Sequence, residues 1–176
     1  KDFWLRPDIP RIAALPFGLA LIILLQAVAG EVAYWGQALV GILFLLWSML
    51  LIALGQHLRT RLGLPLLITV LSIFLLAGSE LSAMAGIVQH FSLHSPLSDL
   101  LVDKLESGER LSGNLGQPNQ FASYTTMGLV SLGLLYASGK MRIWQVVIFS
   151  IPLLFVLALS GSRSPWLYIL FLLGLA

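Results

Sequence analysis

The stretch LPLLITVLSIFLLAGSELSAMAGIV occupies residues 64–88 and contains one charged residue, Glu80. A helix that crosses the hydrocarbon layer of a bilayer needs about 20 predominantly apolar residues. The stretch therefore predicts a membrane-spanning helix. The composition of the chain agrees, because 58% of its residues are hydrophobic and 10% are charged, whereas soluble domains carry roughly 25% charged residues.

Further apolar runs on both sides of this stretch predict an all-α fold, a polytopic transmembrane helix bundle with about six spans in one domain, residues 1–176. Because the chain begins at Lys1 and stops inside the last run, we expect a fragment of a larger membrane protein. The predicted spans are residues 12–29, 35–54, 64–88, 121–137, 143–159 and 165–176.

The distribution of positive charge predicts how the spans are oriented. If the spans alternate in direction, seven of the ten Lys and Arg residues lie on one side of the membrane. Short loops rich in Lys and Arg face the cytoplasm, so the connection 89–120 is predicted on the opposite, outer side. The net charge of +2 is too small to indicate nucleic acid as a partner. The seven residues are Lys1, Arg6, Arg11, Arg59, Arg61, Lys140 and Arg142.

The connection 89–120 carries a signal for a short helix of its own. Ser95-Pro96 fits a helix start, with serine at the cap and proline in the first turn. Leucines follow at helical spacing, which predicts an amphipathic helix on the membrane surface; a lid over a site is the alternative interpretation. The leucines are Leu97, Leu100, Leu101 and Leu105.

His90 and His94 lie just beyond the span 64–88, but two histidines without nearby carboxylates make a poor metal site. Cysteine is absent, which excludes disulfides, thiolate metal ligands and a cysteine nucleophile. These residues therefore give no indication of a metal site. No other cofactor is expected.

Small residues recur every four positions in the span 64–88, at Gly78, Ser82 and Gly86. This spacing lets a second helix approach closely. It predicts a packing face rather than a binding site.

Two predicted spans meet at the turn Ser160-Gly161-Ser162-Arg163, which places Arg163 at the outer boundary of the membrane. The planar donor fork of arginine suits phosphate oxygens, and the hydroxyls of Ser160 and Ser162 could extend such a site. The competing interpretation is a turn arginine that reaches lipid head groups. We expect Arg163 to be the only basic residue fixed beside the helix 121–137.

Glu80 lies in the outer third of its span. An ionisable residue inside the membrane is a functional candidate by default. It could equally be the structural partner of Arg163, or be protonated and inert. A structural or orienting role is the interpretation that we favour.

The segment GNLGQPNQFA, residues 113–122, is polar and irregular, yet it opens directly onto an apolar span. Its proline blocks a helix before it, and the asparagine that follows is a good capping residue, so a helix start accounts for both. The other amides offer donors and acceptors for sugar hydroxyls and phosphate oxygens. The segment therefore predicts a substrate-binding groove. Its candidate residues are Asn114, Gln117, Pro118, Asn119 and Gln120.

The sequences GNLGQPNQFA and LSGSRSPW together resemble those of the bacterial pilin and protein O-oligosaccharyltransferases, which share a membrane superfamily with the O-antigen ligases and polymerases. The protein-glycosylating branch carries a G-x-x-x-QPN-x-x-A segment. The ligase branch carries a related PN-x-FA element and an S-x-SR turn. The remaining spans resemble the family only in hydropathy. The matching residues are Gly113, Gln117, Pro118, Asn119, Ala122, Ser160, Ser162 and Arg163.

The resemblance implies an enzyme that moves a preassembled glycan from undecaprenyl pyrophosphate to a hydroxyl of an acceptor protein such as pilin, without a metal. Its site would face the periplasm from the bacterial inner membrane, surrounded by membrane lipids, and the loop 89–120 would be periplasmic. Arg163 would hold the pyrophosphate, while Gln117 and Asn119 would shape the groove or contact the glycan. The family also uses a large periplasmic loop with a histidine base. That loop lies beyond this chain, so we expect the chain alone to be inactive.

Two alternatives stay open. An O-antigen ligase or polymerase would use the same donor with another acceptor, such as lipid A-core, and the QPN form favours protein glycosylation over it. A lipid or anion transporter or flippase is the rival of another class, because broken helices with polar residues are typical of transporters. A transporter site would lie near the midplane of the bilayer. Glu80, Arg163 and the QPN segment are instead all predicted near one membrane surface.

Overall fold

A computed structural model of the protein describes residues 9–93, Leu105, residues 108–163, Pro165, Leu167 and Tyr168. The described residues form helices joined by turns, with no strand among them. The chain divides into two compact units, residues 1–67 and residues 68–176.

The first unit contains two packed helices, α1 (Ala14–Val28) and α2 (Trp35–Leu62), and a short 3-10 turn precedes α1. Apart from Pro16, the buried side chains of these two helices are alanines, which lets the two backbones approach closely. They are Ala20 and Ala27 of α1 and Ala38 and Ala53 of α2.

Helix α2 runs past its predicted end at residue 54 and stops at Leu62, before Gly63 with φ +78°. The prediction was wrong here because it followed hydropathy alone. The residues GQHLRTRL that complete α2 are polar but mostly good helix formers, and a helix need not end where the apolar run ends.

The second unit contains most of α3 (Leu64–His90), a 3-10 turn at Gly113–Leu115, α4 (Pro118–Ala137) and α5 (Ile143–Leu159). Helix α5 covers the same residues, 143–159, as the predicted fifth span. Helix α4 begins three residues before its predicted start at 121. The core of this unit consists of Leu76, Ala83, Leu111, Phe121, Leu132, Leu135, Leu153 and Val156.

The predicted packing face of α3 is confirmed. At Gly78 an added Cβ would collide with the Tyr124 hydroxyl, and at Gly86 it would lie 2.7 Å from Cζ of Phe121. Between these glycines, Ser82 is 1% exposed. The small residues therefore let α3 pack closely against the start of α4. This contact places α3 beside the polar segment that precedes α4.

The chain is a helical membrane protein. Among the described helices, three are long and apolar enough to cross a membrane by length and composition, and α5 is a shorter apolar helix. Their outer surfaces carry large apolar side chains, such as Phe44 (68% exposed), Phe74 (73%) and Leu81 (73%). Surfaces of this kind suit contact with lipid. The three long segments are Arg11–Val28, Trp35–Leu62 and Leu64–His90.

Two predictions fall largely on residues that the structure does not describe. The amphipathic helix proposed after Ser95 lies outside the described residues except for Leu105, as does His94. Of the sixth predicted span, Pro165, Leu167 and Tyr168 are described, and all three are helical.

Candidate functional site

The QPN segment, Gln117-Pro118-Asn119, forms the N-terminal end of α4. Gln117 has an extended backbone (φ −137°, ψ 119°) and occupies the cap position, and Pro118 is the first helical residue. Proline suits that place because its missing N–H would have no intrahelical partner there. The prediction that Asn119 caps the helix was wrong. Asn119 lies within the first turn, and its side chain is used elsewhere.

Asn119 ties the start of α4 to the turn that follows α5. Its Oδ1 accepts a hydrogen bond from Ser162 Oγ at 3.1 Å and another from Arg110 Nη2 at 3.2 Å. Ser162 is buried, with 6% exposure. The two motifs that the sequence singled out, QPN and SGSR, therefore meet through one amide oxygen.

Arg110 completes this contact from the loop that precedes the QPN segment. Its Nε donates to the carbonyl oxygen of Ser160 at 2.8 Å, and an added Cβ at Gly161 would lie 3.5 Å from that same nitrogen. The expectation that Arg163 is the only basic residue beside the motif helix was wrong, because the Arg110 guanidinium contacts it. The one available signal was position, since Arg110 lies three residues before Gly113.

We name the set Arg110, Asn119, Ser160 and Ser162 the outer node. Within it, Ser160 is fully buried and its hydroxyl is engaged in the turn itself. Ser160 Oγ donates to the carbonyl of Leu157 at 2.7 Å and accepts from the backbone N–H of Ser162 at 3.3 Å. Ser160 therefore shapes the turn that positions the next two residues.

Arg163 follows Ser162 directly and its side chain is exposed. Within the described part of the chain, no hydrogen bond or ion pair engages its guanidinium. Its backbone is nevertheless held beside the outer node, because the preceding serine is bonded to Asn119. The planar, positively charged guanidinium of Arg163 therefore lies next to the outer node, without a partner among the described residues.

The loop before α4 is held in place by Gln89, near the end of α3. Its Oε1 accepts hydrogen bonds from the backbone N–H groups of Ser112 (3.1 Å) and Gly113 (2.8 Å), and its Nε2 donates to Ser112 Oγ at 3.3 Å. Gln89 is 5% exposed. The sequence interpretation missed this residue because a glutamine at a helix end is usually solvated.

Replacing Gln89 by leucine is expected to destabilise this loop. The change leaves two buried backbone donors without an acceptor, and each such loss costs about 1–3 kcal/mol. We expect the free energy of unfolding of the full-length protein in detergent to fall by about 2 kcal/mol or more. The matched control is Gln26→Leu in α1, where the glutamine is exposed. An equal change in both variants would contradict the anchoring role of Gln89.

Among the remaining predicted residues, Asn114 is exposed, but its Oδ1 accepts a short hydrogen bond of 2.6 Å from Ser82 Oγ of α3. Gln117 and Gln120 are exposed. The segment 113–122, which we call the elbow, thus combines one amide that fastens it to α3 with two amides that are exposed. The exposed ones remain available for a polar ligand.

Glu80 is half-buried in α3, and its Oε1 is buried without a hydrogen-bond partner among the described residues. The ion pair with Arg163 that the sequence left open is not formed in the described part of the chain. A buried acceptor without a partner is unusual in native proteins. Glu80 lines neither the amide cleft described below nor the apolar groove between α3 and α4, so its carboxylate has an acceptor that no described group uses.

A cavity of about 430 Å³ lies beside the start of α4. It is an open cleft whose exposed lining is mostly apolar, and the residues that line it are Leu115, Asn119, Gln120, Ser123, Tyr124 and Met127. This volume falls in the range of roughly 300–1,000 Å³ that is typical of small-molecule sites. We call this cavity the amide cleft.

Two comparisons with known proteins find similarity, one in this region and one along most of the chain. Residues 112–136, which include the elbow and most of α4, match the model of a family described as protein glycosylation ligase. The chain is also 31% identical over 170 residues to the general O-oligosaccharyltransferase of Acinetobacter baylyi (strain ATCC 33305 / BD413 / ADP1). The resemblance predicted from the two motifs is confirmed.

The alignment with the Acinetobacter protein covers 94% of this chain and 29% of that protein. The chain therefore spans less than a third of the length of this relative. No solved structure matches the chain.

Proposed function

We propose that this chain, a member of the protein glycosylation ligase and O-oligosaccharyltransferase family, forms the donor-binding part of an enzyme that glycosylates proteins. The donor in this proposal is a preassembled glycan on undecaprenyl pyrophosphate, and the acceptor is a hydroxyl of a protein such as pilin. The enzyme lies in the bacterial inner membrane with about six spans in this chain, and the loop 89–120 is periplasmic.

The observation that carries the proposal is the outer node. Asn119 accepts hydrogen bonds from both Arg110 and Ser162, so the QPN helix start and the SGSR turn form one unit. This unit holds the exposed Arg163 next to the polar N-terminal end of α4. A diphosphate needs a cation and nearby donors, and this arrangement offers both.

The reaction breaks the bond between the anomeric carbon of the glycan and the pyrophosphate oxygen and forms a glycosidic bond to the acceptor oxygen. Negative charge accumulates on the departing pyrophosphate. A guanidinium can bind two phosphate oxygens at once, and electrostatic stabilisation of charge that develops in the transition state is a strong catalytic contribution. We assign this role to Arg163. Arg110 is engaged with Asn119 and Ser160, so it acts as a positioning residue.

The polar side chains around Arg163 receive supporting roles. Asn119, Gln120 and Gln117 contact the glycan or the phosphates from the amide cleft and its rim, and Asn114 and Pro118 hold the elbow. Ser160 and Ser162 fix the turn. Glu80 takes a structural or orienting role. The base that removes the acceptor proton belongs, by analogy with the family, to a periplasmic loop beyond this chain.

The proposal is tested with the full-length protein in a deletion strain that makes the lipid-linked glycan. We expect the glycan to appear on pilin, detected as a mass increase of the acceptor. Transfer to lipid A-core instead would assign the protein to the O-antigen ligases. Movement of the lipid-linked glycan across the membrane without transfer to either acceptor would favour a transporter and overturn the proposal.

Asn119→Ala is expected to lower the rate of glycan transfer about tenfold, a change of about 1.4 kcal/mol. Because Asn119 acts partly through Ser162, a double-mutant cycle isolates their contact. We expect Asn119→Ala with Ser162→Ala to lose no more activity than Asn119→Ala alone. Initial transfer rates of all four proteins measure this coupling. Fully additive losses would show that the two residues act independently.

A further inference from the structure

Glu80 is the only acidic residue within the described helices. It lies ten residues before His90, where α3 ends, which corresponds to about 15 Å along the helix axis. A glutamate side chain is too short to bring its carboxylate to the lipid head groups from that depth. Ionisable groups inside a membrane almost always face a partner in the protein or a water-filled cavity. Neither the amide cleft nor the apolar groove between α3 and α4 includes Glu80 in its lining, which leaves a protein partner as the explanation of its position.

Glu80 belongs to a stripe of α3 that the described part of the protein leaves largely uncovered. Ile73, Ala77, Glu80 and Met84 follow one another at spacings of four, three and four residues, so they share one side of the helix. We call these four residues the Glu80 stripe. Ile73 is 52% exposed, Met84 is 57% exposed, and Ala77 is exposed as well. The small alanine beside Glu80 leaves room for a second helix to approach closely.

The Glu80 stripe is distinct from the side of α3 that packs against the start of α4. Gly78 lies against the Tyr124 hydroxyl, and Ser82 donates to Asn114 Oδ1. Each of these two residues of α3 is two positions from Glu80, and residues two positions apart do not face the same side of a helix. Contact with α4 therefore leaves the stripe free.

At its outer end, the side of α3 that carries the stripe is covered by α5. Phe91 stacks on Phe155 of α5 with ring centroids 6.2 Å apart. His90 meets the same Phe155 ring edge-on at 5.9 Å. A helix that covered the stripe would therefore lie beside α3 and deeper in the membrane than this aromatic cluster, at the depth of Glu80.

We infer that the Glu80 stripe binds another membrane helix of the full-length protein, and that this helix carries a lysine or arginine that pairs with Glu80. Within the described part of the chain, no side chain bonds to the buried Oε1 of Glu80. The aligned region makes up 29% of the Acinetobacter relative, so a full-length protein of comparable size has further segments that can supply such a helix. The inference rests on that length and on Glu80, and it is independent of the proposed reaction.

A cation suits this position better than a hydroxyl or an amide. An ionised carboxylate needs its charge balanced where solvent is excluded, and a guanidinium or ammonium group both balances the charge and donates hydrogen bonds. Oε1 is buried while Glu80 as a whole is half-buried, so a side chain from the uncovered side of α3 can reach the carboxylate. The competing state is a neutral, protonated Glu80 beside lipid, which needs no partner.

Thermal unfolding of the full-length protein in detergent distinguishes these two states by sign. If Glu80 is paired, Glu80→Leu leaves a buried cation without its partner, and we expect Tm to fall by about 5 °C or more. If Glu80 is unpaired, leucine removes a polar group from apolar surroundings, and Tm should stay the same or rise. Either of these last two results would overturn the inference.

The control for this measurement is Glu31→Leu. Glu31 is exposed in the loop between α1 and α2, so its replacement should leave Tm unchanged. A fall of the same size in both variants would also count against the pairing, because it would show that Tm does not depend on the position of the carboxylate.

A photoreactive residue in place of Met84 identifies what covers the stripe. In native membranes, the full-length protein should form an internal crosslink from this position to an apolar segment outside residues 1–176 that contains a lysine or arginine, located by peptide mass spectrometry. Phe74 is the control position, because it is 73% exposed and lies on another side of α3; it should give mainly lipid adducts. From position 84, products with lipid alone, with residues 1–176, with a second copy or with a separate protein would overturn the inference.

The basic residue that the crosslink locates is then replaced by leucine, alone and together with Glu80→Leu. We expect each single replacement to lower Tm and the double replacement to recover most of the loss, because no charge is then left unpaired. Additive losses would contradict the pairing. These measurements need neither donor nor acceptor, so their failure leaves the proposed function standing, and a failure of glycan transfer leaves this inference standing.

Discussion

Replacing Arg163 by alanine is expected to lower the rate of glycan transfer about 100-fold, comparable with the loss of one donor that stabilises developing negative charge in other enzymes. The side chain is exposed and engages no other described residue, so its removal leaves the outer node intact. The full-length variant should therefore insert and fold normally. Transfer to pilin and the amount of membrane-inserted protein are the two measurements.

Two further substitutions define what Arg163 contributes. Arg163→Lys keeps the charge but loses the rigid fork that binds two phosphate oxygens, so we expect an intermediate rate. Lys140→Ala removes another exposed positive charge, from the loop between α4 and α5, at the end of these helices opposite the outer node. This control should be active. Unchanged transfer in Arg163→Ala would remove the residue from the proposed mechanism.

Gly113→Ala is expected to disrupt the elbow and lower both stability and transfer. Gly113 has φ +57°, a conformation that costs an L-residue roughly 1–2 kcal/mol. An added Cβ would also lie 2.5 Å from Cε2 of Phe121, in the core of the second unit. Strain and overpacking together should cost about 2–4 kcal/mol in the free energy of unfolding. Unfolding of the full-length protein in detergent measures this loss.

Gly116→Ala is the matched control for this prediction. Gly116 has a similar φ of +65°, but nothing lies within 4 Å of an added Cβ. It should cost only the backbone strain of roughly 1–2 kcal/mol. The difference between the two variants measures the contact with Phe121. If both variants lose the same stability, the Phe121 ring does not restrict position 113 and our account of the elbow is wrong.

Several parts of the fold could be predicted from the sequence because they depend on local patterns. Apolar run length predicts helices in lipid, and α5 covers the same residues, 143–159, as the apolar run. The spacing of Gly78, Ser82 and Gly86 correctly indicated a packing face. Hydropathy was a poorer indicator of where a helix ends when the helix continues with polar residues, as α2 does up to Leu62. The QPN and SGSR motifs likewise predicted the similarity to protein O-oligosaccharyltransferases that the comparisons find.

By itself, then, the sequence determined the class of protein, most helices and the two motifs. Only the tertiary structure decided which side chains join those motifs. Asn119 was interpreted as a helix cap, yet it binds Ser162, 43 positions away in the chain. Arg110 bonds to Ser160 across 50 positions, and Gln89 anchors Gly113 across 24. Hydropathy and helix propensity report on neighbours within a few turns of the chain. A hydrogen bond between distant residues instead depends on how helices pack, and that packing brings Arg110, Asn119 and Ser162 to one place.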